Sequence, residues 1–100
     1  MSNSKYYQLP ADIYERDGPF SEFKQDGSIV TVELNDGMVF SGLVVLFPNY
    51  IISIKDHSAL PFEPKDIIKI YQTEIDLKTR SKSNWVWFPH PWDGSGENST

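Results

Sequence analysis

The chain has 100 residues, 39% of them hydrophobic and 14% aromatic, with a net charge of −5 and no cysteine. That length holds one hydrophobic core and excludes two. The missing cysteines exclude disulfides and thiolate metal sites, and the acidic balance argues against a nucleic-acid binder, whose affinity comes from neutralising phosphates.

Residues 1–8 are polar and are expected to fray. Pro10 is a good first residue for a short helix through Ala11, Asp12, Ile13 and Tyr14, with Gly18 ending it and Pro19 beyond. Ser21 can cap a second helical piece over 22–25, ended by Gly27. Ile13, Tyr14, Phe20 and Phe23 from this zone are expected to cover one end of the core. Residues 1–27 thus read as an N-terminal extension with short helical turns.

Residues 28–71 are dense in β-formers. Val30, Val32 and Leu34 alternate with Thr31 and Glu33, the pattern of a half-buried strand. Asp36-Gly37 marks a tight turn, and a long strand returns over 38–47. Gly42, next to Ser41, interrupts that strand, as a glycine does at a bulge or sharp bend. Pro48-Asn49 turns into a third strand over 50–55. Asp56-His57-Ser58 forms the next turn. Residues 60–62 read as a short edge strand carrying Pro61. Pro64 fixes a tight turn over 63–66, and 67–71 is the fifth strand. Short strands at this spacing, with a kink inside one of them, predict a mainly β domain: a small, strongly bent, five-stranded antiparallel barrel.

Residues 72–100 read as a C-terminal extension. A charged stretch contains Lys78, Arg80 and Lys82, a local basic patch or simply a solvated tail. An aromatic-proline stretch over 84–92 follows, and residues 94–100 are expected to be disordered. The stretch holds all three tryptophans, Trp85, Trp87 and Trp92, with Val86 and Phe88 between them. In an extended chain Trp85 and Trp87 share one side, and Val86 and Phe88 the other. Apolar residues on both sides imply burial, either against the chain's own sheet, covering an edge, or in a partner's pocket.

Val30, Val32, Leu34, Gly37, Gly42, Val44, Phe47 and Ile54 resemble the first motif of Sm-like proteins, with the two glycines five positions apart. The resemblance covers 30–54 and implies an Sm-like or SH3-like barrel. It does not carry the RNA pocket. Where RNA-binding members have an Asp and a Met-Asn pair after the bent strand, this chain has Pro48 and Ile51-Ile52. Where they have an Arg-Gly pair near the last strand, it has Glu63-Pro64-Lys65-Asp66. The Rho-inhibitor Rof family and the YolD-like family are looser bacterial analogues of the same outline.

Candidate chemistry is sparse. Asp56, His57 and Ser58 are adjacent in one turn, whereas a triad converges from separate segments. His90, Asp93 and Glu97 are close in sequence but separated by Gly94-Ser95-Gly96, which is poor metal-site geometry. No cofactor, metal or small-molecule substrate is indicated, and the chain reads as non-catalytic. Tyr50, after the bent strand, is the best-placed tyrosine for stacking on a base. The first five residues carry no apolar export core, and the longest apolar run, 43–47, falls far short of the roughly 20 residues of a membrane span. A cytoplasmic location without membrane contact is expected.

The leading expectation is a non-catalytic module that binds another protein or itself, such as a small bacterial or phage regulator or inhibitor. Its contact residues would be Asp12, Glu15, Asp17 and Glu22 at the acidic end, Tyr50, and Trp85, Trp87, Phe88 and Trp92 in the aromatic stretch. An Sm-like RNA-binding ring and a structural subunit of a larger assembly are the alternatives.

Overall fold

A computed structural model describes residues 6–89. The expected fraying of 1–5, the disorder of 94–100, and the roles considered for His90, Trp92, Asp93 and Glu97 lie outside the described residues.

The strands are β1 (Tyr7–Gln8), β2 (Glu22–Lys24), β3 (Gly27–Leu34), β4 (Val39–Leu46), β5 (Tyr50–Ile54) and β6 (Ile67–Tyr71), with helices α1 (Ala11–Asp17) and α2 (Glu74–Lys78). The six strands form one antiparallel sheet in the order β1-β5-β4-β3-β2, and β6 also pairs with β3. The outer edge of β3 is therefore divided. Gly27 and Ser28 pair with β2, while Thr31 to Leu34 pair with β6.

The bend lies where Gly42 predicted it. Val30 pairs with Leu43 and Val32 with Phe40, leaving Ser41 and Gly42 opposite the single residue Thr31. Gly42 has φ +75, and a Cβ there would sit 2.8 Å from the Lys55 Cβ. The Gly42 carbonyl accepts the Lys55 N–H at 3.0 Å, so the bulge is tied to the end of β5. A side chain at Gly42 would collide with that tie, and only glycine takes this backbone freely.

The sheet is bent but open. Among the described residues no strand pairing joins β1 to β2 or β6. The expected strand over 60–62 is irregular chain leading to a 3-10 turn at Pro64–Asp66. Pro61 has no N–H to give a ladder, yet Leu60 and Phe62 still bury part of their side chains against the core. The helical piece expected over 22–25 is instead β2. Gln25 and Asp26 form a two-residue turn into β3, with Asp26 at φ +62.

Both faces of the sheet are covered. The larger cluster holds Leu9, Val30, Val32, Leu34, Leu43, Val45, Ile51, Ile54, Ile67, Ile70 and Phe88, with Ile13, Tyr14 and Phe20 packed on it. Phe23, expected with them, lies in a smaller cluster with Ile29, Val44, Ile52, Leu46, Tyr50 and Trp85. β3 is consequently buried at nearly every position rather than alternately. Thr31, expected on the solvent side, is fully buried because Asp76 of α2 covers it and accepts its hydroxyl at 2.6 Å.

Polar side chains tie the irregular segments to the sheet. Gln72 accepts the Ser21 N–H and donates to the Ser21 and Ile29 carbonyls, acting as one strand residue between β2 and β6. Thr73 and Asp76 form a reciprocal capping box that starts α2. No helix among the described residues is long and apolar enough to cross a membrane.

Candidate interaction surface

The aromatic stretch packs on its own sheet. Trp85 is half-buried against Ile29, Val44 and Ile52. Phe88 is 6% exposed in the main core, edge-on to Tyr7 with ring centroids 5.4 Å apart. The Phe88 N–H donates to the Ile52 carbonyl at 2.8 Å, and the Ser53 hydroxyl donates to the Val86 carbonyl at 2.7 Å. β1 covers only Tyr50 and Ile51 of β5, so this stretch closes the rest of that edge. Of the two uses the sequence left open, self-packing is what Trp85 and Phe88 show. Trp87 keeps 39% exposure, with the Lys24 ammonium 5.6 Å from its ring. Tyr50 is half-buried, with its ring edge-on to Tyr6 at 6.0 Å, so it is not displayed as a stacking platform.

Helix α1 divides the acidic residues. Its apolar side, Ile13 and Tyr14, packs on the core, which leaves Asp12 and Glu15 exposed. Asp17 is used internally. Its carboxylate accepts the Ile70 N–H at 2.8 Å and two bonds from the Arg16 guanidinium at 2.9 and 3.0 Å, while Arg16 also donates to the Ile68 carbonyl at 2.8 Å. This clasp holds α1 to β6. Arg16, and secondarily the Ile70 N–H, hold the Asp17 carboxyl below its usual value. Burial, with Glu22 adding to it, pushes the Tyr14 phenol up.

The residue the sequence reading missed is Phe47. It follows β4, its N–H donates to the Asp26 carbonyl at 2.8 Å, and it is 61% exposed. A cleft of about 390 Å³ lies on each side of it. One is lined by Gln25, Asp26, Leu46 and Phe47. The other is lined by Gln8, Ala11, Tyr14, Glu15, Phe47, Pro48 and Asn49. A further concavity at Tyr14, Glu15, Gly18 and Pro19 continues the second cleft. Among the described residues, the lining of these three includes carboxylates and no lysine or arginine. In the sequence Phe47 stands out only as one of the apolar positions of the Sm-like pattern. Its place at a strand end, next to Pro48, was the available clue that it sits at a tip.

Asn49 fixes this tip. Its side-chain amide donates to the Leu9 carbonyl at 2.6 Å, its own carbonyl accepts the Leu9 N–H at 2.9 Å, and Gln8 donates to its side-chain oxygen at 3.2 Å. The turn after β4 and the segment before α1 are therefore joined by three hydrogen bonds. The surface is an exposed aromatic beside this hydrogen-bonded turn, with a carboxylate in each flanking cleft. Among the described residues no group of three His, Asp or Glu gathers in metal-binding range.

The chain was compared with protein-family models, curated proteins and solved structures, and none of them matches it.

Proposed function

We propose that this chain is a non-catalytic protein-interaction module, built on a bent Sm-like or SH3-like sheet, that binds a basic, partly apolar segment of another protein. The observation that carries this reading is Phe47, a large aromatic residue held 61% exposed between two clefts whose charged lining is carboxylate only. Aromatic residues, phenylalanine among them, are enriched at interfaces relative to the rest of the surface. Clefts lined by one sign of charge steer a partner of the opposite sign.

The contact residues in this reading are Phe47, Pro48, Tyr14, Asp12 and Glu15, with Asp26 on the far side. Asp17 and Phe88 leave the contact set, because their polar or apolar surface is already satisfied within the chain, and Trp85 leaves it because it does not line the clefts beside Phe47. A regulator or inhibitor that acts by occupying a basic surface of its target fits this chemistry.

The experiment is affinity capture with the folded chain beside two variants, Phe47→Ser and the pair Asp12→Lys and Glu15→Lys, followed by calorimetry on the purified captured protein. One partner lost by both variants, at a cost of about tenfold or more for Phe47→Ser, supports the reading, as does weakening from low to moderate salt. A partner retained equally by both variants overturns it.

A further inference from the structure

The net charge of −5 describes the whole chain and not its distribution. Of the chain's nine lysines and arginines, Lys24 and Arg80 lie over aromatic rings, and Lys55, Arg80 and Lys82 line a cleft that shares no residue with those beside Phe47. The Lys24 ammonium lies 5.5 Å from the Phe23 ring centroid and 5.6 Å from that of Trp87, and the Arg80 guanidinium carbon lies 6.0 Å from Phe23. Lys55, Arg80 and Lys82 then line one cleft of about 410 Å³ with Asp56, Thr79, Asn84 and Trp85. A second cleft, of about 430 Å³, shares Asp56, Asn84 and Trp85 and extends to Ile54, His57, Ser58 and Val86. Both volumes lie in the range of about 300–1,000 Å³ that small-ligand sites occupy.

The Arg80 guanidinium and the backbone that carries the other groups are tied down before any ligand arrives. Arg80 donates to the Leu77 carbonyl at 3.2 Å and to the Thr79 carbonyl at 2.9 Å. Trp85 is seated in the smaller apolar cluster, and its N–H donates to the Lys82 carbonyl at 3.0 Å. That turn sets the course of the backbone from Lys82 to Trp85. Lys55 is held through its N–H on the Gly42 carbonyl at 3.0 Å. Three cations against one carboxylate leave the first cleft positive, in a protein that is otherwise acidic.

We propose that this pair of clefts binds a nucleotide, with its phosphate at Lys55, Arg80 and Lys82 and its base along Trp85. The exposed Asn84 amide and the Asp56 carboxylate offer donors and an acceptor to the base edge. Cations beside an aromatic wall suit a ligand that joins an anion to a flat apolar ring, and an isolated anion would leave the part of Trp85 that lines both clefts uncontacted. The nucleotide can be free or part of a single strand, since the chemistry at the site is the same. The site shares no residue with the acidic surface around Phe47, so the two readings stand or fall separately.

The test uses the full, isotope-labelled chain in two-dimensional NMR titrations with adenosine monophosphate, inorganic phosphate, a short oligouridine and a hexaglutamate peptide. The expected result is that adenosine monophosphate shifts the Trp85 indole N–H and the amides of Asn84 and Asp56. The double variant Lys55→Glu and Lys82→Glu, both exposed positions, should weaken this by about tenfold or more while the rest of the spectrum stays in place. Tighter binding of oligouridine, lost with salt, identifies the strand as the source. Affinity for it no greater than for the mononucleotide identifies the free nucleotide. Equal responses to inorganic phosphate or hexaglutamate overturn the proposal, because a plain anion site would then suffice. So does an absence of shifts at these residues, or shifts that the double variant leaves unchanged.

Discussion

The backbone N–H of Phe88 donates to the Ile52 carbonyl at 2.8 Å, on the part of the β5 edge that β1 does not reach. One residue therefore closes a sheet edge through its main chain and fills the larger core through its ring. An edge left open there would offer unpaired groups to another chain, so this contact bears on solubility as well as on stability.

Phe88→Ala is expected to cost about 3–5 kcal/mol, the usual effect of removing a buried phenylalanine. Truncation after Lys82 also removes Trp85 from the second face and is expected to cost more, enough to approach the total stability of a small domain. Urea unfolding measures the first and thermal unfolding the second. A truncated chain that melts like the parent would show that the stretch is not part of the core.

Gly42→Ala is expected to destabilise by about 1–3 kcal/mol, because it combines a strained φ with a close approach to Lys55. Gly37→Ala is the control. Its φ is +91, but nothing lies within 4 Å of the added carbon, so the cost there is conformational alone and smaller. If the two variants unfold at the same urea concentration, the contact with Lys55 contributes nothing.

The contrast between these glycines shows what the sequence could reveal. Asp36-Gly37 and Ser41-Gly42 were legible as turn and bulge because glycine is the residue such backbones select. The alternation at Val30, Val32 and Leu34 located β3, and similar runs located β4, β5 and β6. The closing contacts were not legible. β1 is only Tyr7–Gln8 and exists because β5 pairs with it. β2 carried the Ser21 and Gly27 signals of a short helix, but Gly27 pairs with Leu46 and its neighbours follow into the sheet. The helix α2 was not read from the sequence at all: the piece that Thr73 and Asp76 start is five residues long, too short for any periodicity. At the surface, Asp12, Glu15 and Asp17 looked equivalent. Only the fold shows that Asp17 faces Ile70, and only the fold brings Lys55 beside Arg80.

Asn49→Ala is expected to cost about 1–3 kcal/mol, since it removes the partner of the Leu9 carbonyl and of Gln8 in a nearly buried place. The effect should be local first. Native-state hydrogen exchange should show faster exchange at the Leu9 and Tyr14 amides, with the β3 and β4 amides keeping their order of protection. Uniform loss of protection across the sheet would mean that the N-terminal segment is not a separable unit.

Asp17 sets the acid side of the stability profile. Its carboxyl is held below the ordinary 3.8, first by Arg16 and then by the Ile70 N–H. Below 3.8 and above the folded value, the unfolded chain binds the proton and the folded chain does not. Stability therefore rises with pH there, and the clasp contributes fully above 3.8 and fades as pH falls through the folded value. Tyr14 acts in the opposite sense. Its phenol is raised above 10.0, so its contribution is present below that pH and lost as pH climbs through the folded value. Asp17→Asn should lower the melting temperature at neutral pH, with the gap to the parent narrowing as the solution is acidified below 3.8. Glu15→Gln, on the same helix but exposed, should leave the acid limb unchanged. Melting curves recorded across the acid range decide this: a constant gap for Asp17→Asn, or an equal narrowing for Glu15→Gln, would show that the Arg16–Asp17–Ile70 clasp does not couple α1 to the sheet through charge.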